Sequence, residues 1–240
     1  MKTNGYSISV IMPAYNEEPG LEKAFRHTYE SFQSLGFDFE IIIVDDHSED
    51  RTADIARELA GAYPNAISLF HAKNQGIGGA FRTGISKATK EFVVFVPVDN
   101  PLDPDDILTY FKRMEVCDIV VGSRVERVGY TRVARFASFM YNRIMVPLLF
   151  NIGVSDVNWI QVYRRSLFTN GIISFANNKI FYLVEILVQA KKKQLIIAEV
   201  PARMRRRLYG KPTCSRPSTM FLTFLDMLKY FWLVNVRNQD

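Results

Sequence analysis

Short apolar, β-branched runs alternate with amphipathic stretches through the first half of the chain, and this alternation restricts the fold more than any other feature. The runs predicted as strands cover residues 7–12, 40–44, 66–70, 92–96 and 118–121. The stretches predicted as helices cover residues 20–35, 50–62, 76–89 and 105–114. This order predicts an α/β fold in which a mostly parallel central sheet carries helices on both faces.

The second half of the chain has a different pattern. The predicted elements are an amphipathic stretch at 131–150 that breaks at Pro147, a strand at 156–165, a helix at 180–192, a strand at 194–200 and a helix at 217–235. With 240 residues, 48% of them hydrophobic, the chain is long enough for one domain with a sizeable core. The final helix is amphipathic, so it packs on the core or lies in a membrane interface.

Composition excludes several classes of protein. The two cysteines are too few for a disulfide framework and have no metal-ligand spacing, which predicts a reducing compartment. The amino terminus lacks the apolar stretch of a signal peptide, and no uncharged apolar run of about 18 residues occurs. We therefore expect a cytoplasmic protein without a membrane-spanning helix. The histidines, His27, His47 and His71, show no metal-ligand spacing and are expected to be structural.

One basic segment dominates the charge of the chain. The net charge is +5, but residues 191–216 contain nine Lys or Arg residues and one acidic residue, Glu199. The rest of the chain is mildly acidic. Such a segment predicts contact with an anion, which from charge alone is a phosphate, an anionic lipid or a nucleic acid.

Polar residues follow successive predicted strands. The segments after the first four strands are residues 13–17, 45–48, 73–80 and 97–100. Because the carboxyl ends of parallel strands meet at one edge of a sheet, these segments are expected to line one crevice. Carboxylates in such a crevice hold a divalent cation against a phosphate, or contact the ribose and base of a nucleotide.

The glycine-rich segment at 76–80 follows a strand and opens a helix, so it has to be compared with nucleotide-binding motifs. A G-x-G-x-x-G pattern fails, because reading it from Gly76 places Phe81 at the last position and reading it from Gly78 places Ala80 at the second glycine. No G-K-[ST] sequence follows, which excludes a P-loop. Two interpretations of the glycine-rich segment remain. It allows close helix–strand packing with an exposed helix N-terminus, or it contacts a ligand directly.

Several motifs together resemble the inverting glycosyltransferases of family two, which have the GT-A fold. They look most like those of dolichol-phosphate mannose synthases and bacterial polyprenyl-phosphate glycosyltransferases. The motifs are Pro13-Ala14-Tyr15-Asn16-Glu17, Val44-Asp45-Asp46-His47-Ser48 with Thr52, Asn74-Gln75-Gly76 with Ala80 and Gly84, Gly122-Ser123-Arg124, Asp156 to Arg165, and Arg207 with Gly210. The resemblance implies a GT-A (Rossmann-like) three-layer sandwich. It would comprise a nucleotide-sugar-binding half at 1–122, an acceptor-binding half at 123–216 and an amphipathic helix at 217–240.

The resemblance also implies which residues bind the nucleotide-sugar donor. Asp99 matches the second aspartate of the family's D-x-D motif and would hold Mg²⁺ or Mn²⁺ against the diphosphate. The first aspartate of that motif is Pro97 in this chain, so metal binding would rest on one carboxylate unless Asp103 or Asp105 substitutes. The other implied donor contacts are Pro13, Tyr15, Glu17, Val44, Asp46, Val98, Arg207 and Lys211.

The acceptor side follows from the resemblance and from positive charge. In the polyprenyl-phosphate branch of the family, arginines and a serine grip the acceptor phosphate, and the candidates here are Arg124, Arg132, Arg135 and Ser138. A phosphate is already anionic at neutral pH and attacks without a strong general base. A hydroxyl acceptor would need a carboxylate base, for which Asp156 is the first candidate and Glu185 the second. The predicted catalytic residues are therefore Asp99, Arg124 and Asp156.

The function implied by this resemblance is transfer of a sugar, with inversion, from a nucleotide-sugar donor to a polyprenyl (dolichyl-type) phosphate at the cytoplasmic face of a membrane. The protein would be peripheral on that surface and would have no nucleic-acid partner. Two alternatives stay open at this point. One is a transferase to a glycan or soluble hydroxyl, and the other is a nucleotide-sugar-binding homologue with little turnover because of Pro97.

Overall fold

One sheet runs through the molecule, which is described here from a computed structural model of residues 5–99, 102–204 and 217–235. Its strands are β1 Ser7–Ala14, β2 Asp38–Asp45, β3 Ala66–Phe70, β4 Phe92–Phe95, β5 Ile119–Arg124, β6 Gln161–Arg164 and β7 Ile197–Ala202. In the described residues they form a seven-stranded sheet in the order β3-β2-β1-β4-β6-β5-β7. Strand β6 is antiparallel to both of its neighbours, and the other pairs are parallel.

Helices connect most of the strands and cover both faces of the sheet. They are α1 Leu21–Ser34, α2 Thr52–Ala62, α3 Gly76–Lys87, α4 Pro104–Met114, α5 Arg132–Phe139, α6 Val146–Phe150, α7 Ser166–Thr169, α8 Tyr182–Lys192 and α9 Pro217–Asn235. A π-helical turn, Met140–Met145, joins α5 to α6.

Alternate side chains along the strands point to opposite faces and build two apolar layers. In β1, Val10 and Met12 lie in the layer formed with α1, α2 and α4. Ile11, between them, lies in the layer formed with α3, α8 and α9. Because the central strands are buried on both faces, they read as continuous Ile and Val runs in the sequence. The predicted three-layer α/β architecture is confirmed.

The strand order reverses direction at β1. The chain runs from β1 to β2 and β3 on one side, and then returns to place β4 on the other side of β1. Ligands of open α/β sheets bind in the crevice outside the carboxyl ends of the strands at such a switch point. Here that crevice lies between the segment that follows Ala14 and the segment that follows Phe95.

Two predicted strands in the second half differ from the structure. The strand expected at 156–165 is confined to Gln161–Arg164, because the segment before it forms a loop that carries Asp156 into an ion pair. The strand expected at 194–200 begins later, at Ile197. The left-handed backbone of Gln194, with φ 57°, closes the turn after α8 and delays the strand.

The break predicted at Pro147 does not occur. Pro147 lies in the first turn of α6, immediately after the π-helical turn. Proline is tolerated at this place because its missing N–H falls where the regular hydrogen-bond ladder is already interrupted. The helix predicted at 217–235 is confirmed as α9.

Candidate functional site

The carboxyl ends of six strands meet at one edge of the sheet, and several of the predicted site residues lie there. Strands β1, β2, β4 and β5 are mutually parallel, so the residues that follow them share this edge. The antiparallel strand β6 begins at the same edge, and the loop before it therefore brings its own side chains to the site. The residues gathered at this edge include Tyr15, Asp46, Asp99, Arg124 and Asp156.

The loops after β1 and β2 are tied to each other by side-chain hydrogen bonds. The Asn16 N–H donates to Ser48 Oγ at 3.0 Å, and the Glu17 N–H donates to Thr52 Oγ1 at 2.8 Å. In return, the Glu49 N–H donates to Asn16 Oδ1 at 2.8 Å. Asn16 has φ 54°, a left-handed conformation that asparagine tolerates. These bonds make one rigid wall of the crevice from two separate loops.

The predicted nucleoside contacts differ in what they offer to a ligand. The Tyr15 ring is 46% exposed at the mouth of the crevice, where a base can stack on it. Pro13 and Glu17 are half-buried beside it. Val44 is fully buried in the core, so a contact with the nucleoside would have to come from its backbone.

The carboxylate of Asp46 is buried and holds the glycine-rich turn. Its Oδ1 accepts from the Gln75 N–H at 2.8 Å, and its Oδ2 accepts from the Gly76 N–H at 2.7 Å. His71 Nδ1 lies 2.6 Å from Oδ1, and Thr83 Oγ1 lies 2.8 Å from the other ring nitrogen. Asp46 thus connects the start of α3 to β2. This structural role was not part of the prediction, which named Asp46 only as a donor contact. His71 is structural, as expected.

The glycine-rich turn is packed against another loop. The Gly78 N–H donates to the carbonyl oxygen of Asn178 at 2.9 Å. A methyl group on Gly76 or Gly78 would collide with the backbone of Asn177 and Asn178. The N–H groups of Gly76 and Gly78 therefore have protein partners, and the glycines are needed for a close approach of two backbone segments. Close packing, one of the two readings considered in the sequence analysis, is observed at this turn, and residues 75–77 are half-buried.

Of the carboxylates considered for the metal site implied by the resemblance, only Asp99 matches the family's motif. Asp99 is half-buried in the loop after β4, next to the buried side chain of Val98. Asp103 caps α4 by accepting from the Asp105 N–H at 3.2 Å, and Asp105 pairs with Arg203 at 3.4 Å. Within the described ranges, no three His, Cys, Asp or Glu side chains lie close enough to hold a metal ion.

A single carboxylate still fits a cation that the donor also holds. Mg²⁺ is commonly bound by one or two carboxylates together with substrate phosphates and water, without a complete protein cage. Asp99 at the switch-point crevice can serve as that protein ligand. The neighbouring Asp103 is engaged as the cap of α4, and Asp105 is engaged in the pair with Arg203.

Arg124 and Asp156 form a buried ion pair at the end of β5. Arg124 Nε donates to Asp156 Oδ2 at 2.7 Å, and Nη2 donates to Oδ1 at 2.8 Å. The side chains are 5% and 1% exposed. This bidentate geometry is the strongest form of an arginine–carboxylate contact. Asp156 is therefore unsuited to the role of a free general base.

The remaining side of the Arg124 guanidinium is also covered. Nη1 donates to the hydroxyl of Tyr130 at 2.8 Å, and the guanidinium lies 4.9 Å from the ring centroid of Trp159. Burial by itself lowers the pKa of Arg124, but the hydrogen bonds and the charge of Asp156 raise the pKa overall. Arg124 is held charged inside the protein.

Arg127 completes this cluster and was missed in the sequence analysis. Its Nη2 donates to Asp156 Oδ2 at 3.2 Å, and its Nε donates to Ser138 Oγ at 2.9 Å. Ser138 was predicted as an acceptor contact, and the structure connects it to Arg127. The one signal for Arg127 in the sequence was its position, three residues after Arg124 in a loop expected at the acceptor side.

The other predicted acceptor and donor contacts fall into two groups. Arg132 and Arg135 are exposed on α5, and neither forms an ion pair with another described residue. Arg207 and Lys211 lie outside the described residues. The alternative base, Glu185, is buried and accepts the N–H groups of residues 176 and 177, which makes it structural.

Gly78→Ala is expected to destabilise the protein, because the added methyl group forces α3 away from the Asn177–Asn178 backbone. Overpacking of this kind costs about 1–3 kcal/mol. Gly61→Ala is the matched control, since Gly61 is exposed in α2 and no atom lies within 4 Å of the added carbon. There the higher helix propensity of alanine raises stability by up to ~1 kcal/mol. Urea unfolding of both variants checks the opposite signs, and equal effects would contradict this account.

Arg124→Ala is expected to lower the free energy of unfolding by about 3–5 kcal/mol, because it leaves the Asp156 carboxylate buried with a weaker partner. The paired replacement Arg124→Met with Asp156→Leu removes both charges and should recover most of that loss. Chemical denaturation measures the difference. A loss in the paired variant as large as in Arg124→Ala would show that the ion pair is not the cause.

Comparison with known proteins agrees with this geometry. Residues 9–171 match the family model of glycosyl transferase family 2. A dolichol-phosphate mannosyltransferase of Pyrococcus furiosus is 29% identical over 218 residues, which cover 85% of this chain and 60% of that relative. A dolichyl-phosphate β-glucosyltransferase of Trichomonas vaginalis is 29% identical over 212 residues, covering 80% of this chain and 64% of its own. The chain thus spans less than two thirds of the length of these relatives.

Solved structures share the fold. Glucosyl-3-phosphoglycerate synthase of Mycobacterium tuberculosis, in complex with phosphoglyceric acid, aligns with a TM-score of 0.70 and 22% identity, covering 94% of this chain and 80% of that one. The same enzyme with Mn²⁺, uridine diphosphate and phosphoglyceric acid aligns with a TM-score of 0.68 and 20% identity, covering 93% and 78%. The fold is of the GT-A type. Because the family model covers more than half of the sequence, the chain belongs to glycosyl transferase family 2.

Proposed function

We propose that this protein transfers a sugar, with inversion, from a nucleotide-sugar donor to a polyprenyl (dolichyl-type) phosphate at the cytoplasmic face of a membrane. The observation that carries the proposal is the composition of one sheet edge. A crevice with Tyr15 and Asp99 lies beside a cluster of guanidiniums, and the carboxylate nearest to that cluster, Asp156, is paired with arginines.

The donor side is supported by the place of the crevice and by the residues in it. A nucleoside diphosphate fits the switch point between β1 and β4, with its base on the exposed Tyr15 ring. Asp99 would hold Mg²⁺ or Mn²⁺ against the diphosphate, and the ion when bound would neutralise charge on the departing nucleoside diphosphate. The related synthase from M. tuberculosis has been solved with uridine diphosphate and either Mn²⁺ or Mg²⁺.

The acceptor side favours a phosphate over a hydroxyl. A hydroxyl needs a base that removes its proton, and both carboxylate oxygens of Asp156 already accept hydrogen bonds from guanidiniums. A phosphate oxygen is already negative and needs only positioning near the anomeric carbon and compensation of charge. The names of the two relatives, a dolichol-phosphate mannosyltransferase and a dolichyl-phosphate β-glucosyltransferase, support the same class of acceptor.

Helix α5 offers a surface for a membrane next to this cluster. In the described chain none of its residues is buried, and Val133 and Phe136 are 76% and 66% exposed. Arg132 and Arg135 share the helix, so apolar side chains lie beside positive charge, as in helices that bind anionic membrane surfaces. No helix in the described ranges has the length and hydropathy needed to cross a bilayer.

Helix α9 adds to this surface while it packs on the core. Met227 and Val234 are buried, whereas Leu225, Leu228 and Trp232 are exposed. Thus α9 has both of the features considered from sequence, a core face and an exposed apolar face. The ring of Phe231 lies 6.0 Å from that of Phe150 in α6, which joins α9 to the α5–α6 segment.

Asp99→Ala is expected to reduce metal-dependent release of nucleoside diphosphate by about 10²-fold or more, because the cation loses its protein ligand. The assay supplies UDP- and GDP-sugars with Mn²⁺ and a short-chain polyprenyl phosphate, and mass spectrometry identifies the product. Asp54→Ala is the matched control, since Asp54 is an exposed carboxylate on α2 paired with Arg57. Equal turnover of Asp99→Ala and the wild type would remove Asp99 from the metal site.

The same assay separates the proposal from its rivals. Product formed on a free glycan hydroxyl, and none on polyprenyl phosphate, would favour the hydroxyl transferase. Tight donor binding without metal and without nucleoside diphosphate release would favour a binding protein that has lost turnover. Sugar attached to the polyprenyl phosphate supports the proposed function.

The double variant Val133→Ser with Phe136→Ser is expected to reduce binding to vesicles that contain anionic lipid by about tenfold or more, because two exposed apolar side chains are lost from α5. Val116→Ser is the matched control, as Val116 is 63% exposed in the turn before β5, at the opposite edge of the sheet. Vesicle sedimentation measures both variants. Equal binding of the double variant and the control would contradict a role of α5 at the membrane.

A further inference from the structure

We infer that Arg127 is the guanidinium that contacts the acceptor phosphate, and that Arg124 acts behind it as a positioning residue. The inference rests on the proposed function and assigns a role to a residue that the resemblance does not indicate. It is carried by the different accessibility of the two arginines around one buried carboxylate.

Arg124 has its polar groups engaged within the protein. Two of its nitrogens face Asp156, the third faces Tyr130, and Trp159 lies 4.9 Å from the guanidinium. Only 5% of the side chain is exposed. For Arg124 to bind a phosphate directly, it would have to give up the bidentate pair and leave the buried Asp156 with Arg127 as its weaker partner, which is unfavourable for a buried charge.

The positive charge that remains belongs to Arg127. The cluster contains two guanidiniums and one carboxylate, and the bidentate pair of Arg124 with Asp156 is neutral. Arg127 contacts Asp156 by one longer bond of 3.2 Å, and its side chain is 24% exposed. An anion that approaches the cluster therefore meets the net charge of +1 on the exposed member.

Arg127 also has guanidinium N–H groups that are available to a ligand. A guanidinium carries five N–H groups. In the described part of the chain, Nε binds Ser138, Nη2 binds Asp156, and no hydrogen bond or ion pair involves Nη1. The Nη1 edge can donate to phosphate oxygens without breaking either existing bond.

Ser138 and Asp156 set the orientation of Arg127 before the acceptor arrives. Ser138 is on α5 and Asp156 precedes β6, so the guanidinium is braced between two elements. The Ser138 oxygen accepts from Arg127 at 2.9 Å, which leaves its hydroxyl proton able to donate to the same anion. A braced arginine loses less conformational entropy on binding than the exposed Arg132 or Arg135 would.

Arg127→Ala is expected to raise the Kd for farnesyl phosphate by about 10- to 100-fold, which corresponds to the loss of a charged hydrogen bond. The Kd for uridine or guanosine diphosphate should not change, and KM for the acceptor should rise far more than kcat falls. Arg127→Lys keeps the charge without the planar fork and should give an intermediate Kd. Isothermal titration measures the Kd values, and steady-state turnover at varied acceptor concentration measures KM and kcat.

Arg26→Ala is the matched control, because Arg26 is an exposed arginine on α1 that pairs with Glu22 and Tyr63. It should bind farnesyl phosphate as the wild type does. The fold of Arg127→Ala is checked by urea unfolding, and we expect it to persist because Asp156 keeps Arg124 as its partner. If that variant does not fold, Arg127→Gln, which keeps amide donors, is titrated in its place.

Different outcomes test the two proposals separately. Unchanged farnesyl phosphate binding in Arg127→Ala, or an equal loss in Arg26→Ala, would overturn the role of Arg127 and leave the proposed function intact. Binding of glycerol phosphate but not farnesyl phosphate, lost in Arg127→Ala, would support Arg127 and overturn the lipid acceptor. A wild-type protein that binds neither phosphomonoester would overturn both. Farnesol, which lacks the phosphate, reports the contribution of the prenyl chain alone.

Discussion

The parallel pairing of β1 with both β2 and β4 is the constraint on which the rest of the molecule depends. It places β2 and β4 on opposite sides of β1, and this change of direction in the strand order is where α/β sheets form a binding crevice at the carboxyl ends of their strands. The loop with Tyr15 and the loop with Asp99 become the two sides of that crevice. The antiparallel strand β6 then returns the chain to the same edge, so that Asp156 meets Arg124 although 32 residues separate them.

Buried carboxylates at this edge mainly hold structure. Asp46 accepts two backbone N–H groups of the glycine-rich turn and contacts His71. Asp156 accepts from two guanidiniums. In both cases a charge taken out of water has several partners, as burial of an ion requires. Asp99, in the loop after β4, is the carboxylate to which we assign the cation, and the engagement of Asp156 by two arginines favours an acceptor that brings its own negative charge.

At the proposed acceptor side, three kinds of surface lie within a short distance along the chain. A neutralised pair, Arg124 with Asp156, supports a half-exposed guanidinium, Arg127, and the exposed apolar side chains of α5 follow directly. A molecule with a phosphate head and an apolar tail matches this order of charge and hydropathy. The exposed face of α9, joined to α6 through Phe150 and Phe231, extends the apolar part.

Local patterns in the sequence determined the strands and helices of the first half and the burial of the sheet on both faces, because hydrophobic periodicity constrains these features. The handedness of the crossovers then determined the edge at which the polar loops converge. Only the tertiary structure decided which polar side chains form hydrogen bonds and ion pairs with each other. The pairing of Arg124 with Asp156, the capping of α3 by Asp46 and the position of Arg127 all join residues distant in sequence, and a hydrogen bond between such residues leaves no local pattern. Two mispredictions have a related reason. At Pro147 a π-helical turn keeps the chain helical where composition predicts a break. Before β7 the left-handed backbone of Gln194 makes a turn where composition predicts a strand.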